Sequence, residues 1–173
     1  MSHRKPMPLL LLAVALGSLA CQSAPKPEQT IYSNSLDSID AILSANGTSL
    51  DASTSHDGKG SIRIESNGPV TIRLAEVEPE GAENAVLIYR GHLRTENLSG
   101  QAYLEMWCSI PGKGEFFSRA LHAPLSGTTD WVSQETPFFL EKGQHAQTVK
   151  LNVVAAGTGT VWVDDVTLAM ASR

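Results

Sequence analysis

The sequence predicts an all-β protein: an antiparallel β-sandwich of the jelly-roll type, with one short helix before its strands. Three observations support this fold class. Short apolar runs repeat with a period of two residues, and glycine, proline, asparagine and serine separate these runs. No amphipathic helices lie between them, which argues against a parallel α/β sheet, because the crossovers of such a sheet are helical.

The N-terminal residues 1–20 are predicted to be a cleaved signal peptide. A short basic start precedes an apolar run over 9–16, which is too short to span a bilayer, and small residues follow it. Cys21 comes directly after those small residues. The segment resembles the lipobox of bacterial lipoproteins, although Ser18 stands where leucine is usual.

The lipobox resemblance implies that Cys21 is acylated and becomes the mature N-terminus, so that a lipid membrane is one partner. Residues 21–30 then form a polar, proline-bearing tether, and 31–173 form the β-sandwich domain. Gln22 resembles the outer-membrane sorting pattern. The expected location is therefore the bacterial cell envelope, at the outer membrane, facing the periplasm or the surface. The alternative is an ordinary signal peptide that ends near a cysteine.

The charge of the mature chain excludes two classes of partner. Cleavage removes two of the 13 lysines and arginines and leaves 11 basic against 18 acidic residues, a net charge of −7. Nucleic acids and anionic lipid head groups select basic patches, and the mature sequence has no basic cluster. With Cys21 acylated, Cys108 has no partner, so no intrachain disulfide is expected.

The strands follow in chain order from alternation and from the residues that end each run. Eight are predicted, at 61–65, 70–74, 85–94, 101–110, 116–123, 131–136, 147–155 and 161–170. Residues 95–100 are predicted to be the turn that joins the third and fourth strands as a hairpin. Ahead of the strands, Leu36, Ile39 and Ile42 recur at helical spacing with Ser35 in an N-cap position, which predicts a short helix or an irregular lead-in.

Three local patterns together resemble the galactose-binding-like jelly rolls, which include many carbohydrate-binding modules. They are a glycine turn that feeds a strand at 57–64, a T-x-x-W step at 128–131, and a final strand with a paired aspartate at 159–168. The resemblance covers residues 50–170 and implies the fold. It leaves the function open, because this fold serves sugar binding, structural roles and scaffold roles alike.

The candidate ligand surface is the polar face of the fourth predicted strand. Alternation sends its even-numbered apolar residues to the core and Tyr103, Glu105 and Trp107 to the opposite face. On the preceding strand, Arg90 and His92 share the polar face. If the predicted hairpin forms, these two faces coincide and Arg90 or His92 lies opposite Glu105. Such a surface suits a sugar, since aromatic rings stack on pyranose C–H groups and charged groups hydrogen-bond to hydroxyls. The alternative is a plain cross-strand ion pair with the aromatic residues under a loop.

A possible structural calcium ion is the only cofactor that the jelly-roll resemblance implies. In such folds an aspartate of the last strand often helps to hold calcium together with backbone oxygens of a glycine turn, which implies Asp164 and Asp165 as ligands. Alternatively, one aspartate caps loop amides and the other faces solvent. The remaining histidines lack the sequence spacing of zinc ligands. Cys108 falls on the core face, where a thiol is inert.

These features predict a non-catalytic envelope lipoprotein that binds a carbohydrate or a cell-envelope glycan. The alternative is a structural or scaffold lipoprotein whose same face meets an envelope protein, and a hydrolase is a third hypothesis. The sequence contains no serine nucleophile elbow, no HExxH motif and no phosphate-cradling glycine loop. A concave groove around Tyr103 and Trp107 would favour a glycan, and a flat apolar patch would favour a protein.

Overall fold

The computed structural model describes residues 27–44 and 46–172, so the predicted signal peptide and Cys21 lie outside the described residues. The described part forms nine strands and one 3₁₀ turn, and it contains no helix that is long and apolar enough to cross a membrane. The strands are β1 (Gln29–Asn34), β2 (Thr48–Asp51), β3 (Ser61–Asn67), β4 (Val70–Val77), β5 (Ala85–Ile110), β6 (Gly114–Arg119), β7 (Leu125–Phe139), β8 (Thr148–Ala155) and β9 (Thr158–Ser172).

The predicted all-β antiparallel fold is confirmed. All the strand pairs are antiparallel, and each of the eight predicted strands overlaps a strand of the structure. The sequence prediction missed two strands, β1 and β2, which are short and contain no buried residue. β1 begins at Gln29, within the last residues of the predicted tether.

β5 runs through both layers of the sandwich. Its first half, 85–96, lies between β7 and β9, and its second half, 102–110, lies between β6 and β8. The halves face each other across the core, because a Cβ atom built on Gly91 would lie 3.6 Å from Cδ1 of Leu104. Residues 97–101 therefore form an arch that carries the chain from one layer to the other.

The predicted hairpin at 95–100 is wrong. In a hairpin the two halves of β5 would pair edge to edge, whereas other strands occupy both edges of each half. The two-residue alternation of apolar and polar side chains predicts the two faces of each half correctly. However, the arch turns the apolar faces toward each other and the polar faces outward on opposite sides. We call the outer surface of β3, β9, β5 and β7 the His92 face, and that of β4, β8, β5 and β6 the Trp107 face.

The core lies between the two layers and is formed by the inward residues of both halves of β5 and their neighbours. Its largest fully buried side chains include Tyr89, Leu93, Leu104, Met106 and Leu151. Cys108 is also fully buried, as predicted, and burial raises the pKa of its thiol to about 12. A thiol with that pKa is protonated at neutral pH and is therefore a poor nucleophile.

The arch packs backbone to backbone against the turn between β8 and β9 and against the first residues of β9. A Cβ atom on Gly100 would lie 2.0 Å from the carbonyl oxygen of Ala156, and one on Gly159 would lie 2.6 Å from Cα of Leu98. The N–H of Ala156 also donates to the carbonyl of Gln101 at 2.7 Å. The chain can cross between the layers here only because glycine leaves room for this approach.

The segment predicted as a short helix or an irregular lead-in is mostly irregular. Only Ile39–Ala41 forms a 3₁₀ turn, and Ser38 rather than Ser35 caps it, with its Oγ accepting from the N–H of Asp40. After this turn the chain follows the outer edge of β4, where the N–H groups of residues 43 and 44 both donate to the carbonyl of Arg73. Leu43 and Ser44 thereby lie at the edge of the Trp107 face, beside β4.

Replacing Gly100 with alanine tests the arch. We expect Gly100→Ala to lower the free energy of unfolding by about 1–3 kcal/mol, because the new methyl group collides with a carbonyl of the backbone and not with a flexible side chain. Urea denaturation measures this change. The control is Gln101→Ala at the exposed neighbouring position, which should change stability by less than about 0.5 kcal/mol. Equal stability of the two variants would contradict the close contact.

Candidate functional site

The centre of the Trp107 face is an aromatic pair that crosses from β5 to β6. The strand register places Trp107 directly beside Phe117, with their ring centroids 5.1 Å apart at 47°. Trp107 is partly exposed and Phe117 is 51% exposed. The guanidinium carbon of Arg119 lies 4.3 Å from the Phe117 centroid, within the range of a cation–π contact.

Glu105 anchors this aromatic pair. Its Oε1 accepts from the indole N–H of Trp107 at 2.7 Å and from Nδ2 of Asn152 at 3.2 Å, and its Oε2 accepts from Nε of Arg119 at 2.6 Å. The side chain is only 4% exposed. A buried carboxylate is tolerated because these donors replace the water that it loses. Both oxygens are engaged, so Glu105 holds its neighbours in place and is not presented at the surface as a free ligand-binding group.

An open polar groove lies beside this cluster. It has a volume of about 490 Å³, and its lining residues are Leu43, Ser44, Thr71, Arg73, Glu76 and Asn152. Nε of Arg73 donates to Oδ1 of Asn152 at 3.3 Å, and Arg73 also forms an ion pair with Glu76 at 2.6 Å. The amide of Asn152 thus connects the groove to Glu105. The lining presents N–H donors and carboxylate acceptors together.

Tyr103 lies on the same outer side but contributes less surface than predicted. Its ring is half-buried and packs against the core cluster. Of the three residues predicted from the fourth strand, Trp107 is therefore the one whose ring is held beside an exposed aromatic neighbour.

Arg90 does not join this surface, contrary to the predicted juxtaposition with Glu105. It lies on the His92 face, where its Nε donates to Glu135 at 2.8 Å and its terminal nitrogens donate to Glu28 at 2.7 and 3.1 Å. These two carboxylates raise the pKa of Arg90 above its usual value. Arg90 fastens the residues before β1 to the sheet.

His92 is also separated from Glu105 and lies in a cluster that the sequence analysis missed. Its ring stacks on that of His56, with centroids 3.5 Å apart and planes within 8°. Nδ1 of His56 lies 2.9 Å from Oδ2 of Asp165, and Nδ1 of His92 lies 4.0 Å from the same oxygen. Burial, and then the nearby His56, lower the pKa of His92. The three residues are far apart in the sequence, so no local spacing could have shown the cluster.

Asp164, one of the two predicted calcium ligands, has both carboxylate oxygens engaged by backbone N–H groups. Its Oδ2 accepts from the N–H of His56 at 2.8 Å and of Asp57 at 3.3 Å, and its Oδ1 accepts from the N–H of Asp165. The residue is fully buried, and burial raises the pKa of its carboxyl to about 6. The structure thus matches the alternative in which one aspartate caps loop amides. The other, Asp165, pairs with His56.

Comparisons with known proteins support the fold. No protein-family model and no curated protein matches the chain. The CBM22-1 xylan-binding domain of Paenibacillus barcinonensis Xyn10C superposes with a TM-score of 0.59 at 14% identity, over 87% of this chain and 99% of that one. The C-terminal family 22 carbohydrate-binding module of Clostridium thermocellum Xyn10B gives 0.58 at 11% identity, over 82% and 93% of the two chains. At such identities the likeness shows the fold alone, which is the carbohydrate-binding-module jelly roll that the sequence resemblance implied.

Replacing Glu105 tests its role as the anchor of the Trp107 face. We expect Glu105→Ala to lower the free energy of unfolding by about 1–3 kcal/mol, because the indole N–H of Trp107 and the buried amide of Asn152 lose their acceptor. Urea denaturation measures the loss. The matched control is Glu115→Ala on β6, whose exposed pair with Lys150 should contribute no more than about 1 kcal/mol. An equally small loss of stability in the two variants would show that Glu105 does not anchor the Trp107 face.

Proposed function

We propose that this protein is a non-catalytic glycan-binding protein that holds a carbohydrate or a cell-envelope glycan on its Trp107 face. The observation that carries the proposal is the fixed, partly exposed indole of Trp107, held by a buried carboxylate beside an open polar groove. The fold supports it, because structures that share the fold include a xylan-binding domain and a family 22 carbohydrate-binding module.

The chemistry of the face suits a neutral sugar chain. Trp107 and Phe117 offer apolar ring surface for the C–H side of a pyranose, and the groove offers hydrogen-bond donors and acceptors for hydroxyl groups. Hydrogen bonds to Glu105 from Trp107 and Asn152 hold the indole in place before a ligand binds. Little side-chain entropy is then lost on binding, which favours affinity.

A protein partner is the second candidate function, and an apolar patch at one end of the sandwich favours it. All four phenylalanines of the chain line one pocket of about 300 Å³, formed by β6, β7 and the end of β5. Phe116, Phe117 and Phe139 are 44%, 51% and 56% exposed. Exposed aromatic residues clustered in this way are typical of protein interfaces.

We further propose that the domain acts at the bacterial envelope, attached through an acylated Cys21. The sequence of residues 1–22 supports this location. Mass spectrometry of the mature N-terminus tests it, and we expect a diacylglyceryl-modified cysteine as the first residue. The Cys21→Ser variant serves as the control, which should stay uncleaved and unacylated. A mature chain that starts elsewhere without lipid would contradict the anchoring.

Truncation of the central indole tests the glycan proposal. We expect Trp107→Ala to weaken binding to a glycan found by array screening at least about tenfold, because the main stacking surface is lost. Titration calorimetry measures the affinity, and a denaturation curve shows whether the domain remains folded. The matched control is Trp131→Ala, which removes a partly exposed indole from the opposite face and should leave the affinity unchanged.

Two results would reject the proposal. One is an unchanged affinity of Trp107→Ala for the glycan. The other is the absence of any bound glycan across a broad array that includes plant and bacterial cell-wall polysaccharides, with the wild-type protein folded. In the second case, cross-linking to an envelope protein that Phe116→Ser abolishes would favour the second candidate function.

A further inference from the structure

We propose that His56, His92 and Asp165 form a binding site for a divalent transition-metal ion of the zinc class on the His92 face. The site lies on the opposite side of the sandwich from Trp107, so it is independent of the glycan-binding proposal. It is also different in composition from the calcium site that the sequence resemblance implied, since two of its three ligands are imidazoles.

A β-bulge brings the carboxylate into position. The register of β9 against β5 shifts between Asp164 and Thr167, so that two residues of β9 oppose Gly91 alone. Asp165 is one of these two and has a φ of 48°, in the left-handed region. Bulges re-aim side chains and are frequent at functional sites. Here the bulge places the carboxylate of Asp165 beside the ring of His92.

The second imidazole is delivered by the loop between β2 and β3. Asp164, fully buried in the adjacent position of β9, accepts from the backbone N–H groups of His56 and Asp57. This contact holds the backbone of the loop over the sheet, independently of the His56 ring. The protein therefore provides a support that sets where His56 lies, as outer-shell groups do in metal sites.

The distances suit coordination after a small adjustment. One donor atom from each of the three residues lies within 4.8 Å of the other two. Ligand atoms around a tetrahedral zinc ion lie about 3.4 Å apart, because zinc bonds to nitrogen and oxygen are about 2.0–2.2 Å long. Shifts of about 1 Å, with rotation of the two stacked rings, would bring the three atoms to this separation. Nδ1 of His92 is buried and has no hydrogen-bond partner among the described residues, so this atom is available to bind a metal ion.

The ligand types select the metal. Two imidazole nitrogens and one carboxylate oxygen match zinc and its transition-metal neighbours, whereas calcium and magnesium prefer a shell of oxygens. Three protein ligands also leave a coordination position for water or for a group supplied by another molecule. An ion here would join the 52–60 loop to the two central strands of this layer, and it should stabilise the domain by binding only the folded state.

Titration of the full chain with zinc chloride tests the site. It is done in a Cys21→Ser background, because an unacylated thiol would itself bind zinc. We expect one equivalent of Zn²⁺ to bind, to raise the thermal midpoint and to shift the imidazole NMR signals of His56 and His92. A parallel titration with calcium chloride should give neither binding nor stabilisation.

The Asp165→Asn variant removes the anionic ligand with the least damage to the fold, since asparagine tolerates the left-handed conformation. We expect zinc affinity to fall at least tenfold in Asp165→Asn and in His92→Ala. The controls are Asp40→Asn on the exposed 3₁₀ turn and His122→Ala in the loop after β6, which should bind zinc like the wild type.

Three outcomes would overturn the metal site. They are equal zinc affinity in Asp165→Asn and the wild type, zinc-induced shifts at His122 in place of His56 and His92, and preferential binding of calcium. Binding of the glycan by the Trp107 face is measured separately on Asp165→Asn. Unchanged glycan affinity there shows that failure of the metal site leaves the proposed function intact.

Discussion

The stacking of the two halves of β5 across the core is the constraint on which the rest of the structure depends. One continuous strand supplies a central strand to each layer, and the arch at 97–101 sets how the layers lie on each other. Close contact between Gly100 and Ala156 leaves no room for a side chain at the crossing. Because the apolar faces meet, the outward-facing residues of the two halves of β5, such as His92 and Trp107, lie on two surfaces that are separated by the whole core.

Each outer surface contains a buried carboxylate that accepts hydrogen bonds from several N–H donors. On the Trp107 face, Glu105 holds an indole, a guanidinium and an amide, all of them on strands. On the His92 face, Asp164 holds the backbone of a loop. A carboxylate removed from water is stable only while its donors are in place, so each one fixes the geometry of the groups around it. Glu105 thus positions the side chain of Trp107, and Asp164 positions the backbone of His56.

This protein shares its fold with known structures. At 11–14% identity, the likeness shows the shared jelly-roll fold, but it transfers no binding residue. The aromatic pair on β5 and β6 and the two stacked histidines are defined by contacts within this chain. The two surfaces can therefore be tested separately, since substitutions on one of them touch nothing on the other.

The sequence by itself determined the all-β class, most of the strands and the two faces of each half of β5. Two-residue alternation is a local property, so it placed Cys108 in the core and Trp107 outside it correctly. It could not distinguish a hairpin from an arch at 95–100, because the same turn residues serve both, and the choice depends on which strands occupy the edges. Only the tertiary structure therefore separated Arg90 and His92 from Glu105 and brought His92 to His56 and Asp165. Contacts between distant segments are fixed by strand order and by a bulge, and local periodicity predicts neither of these.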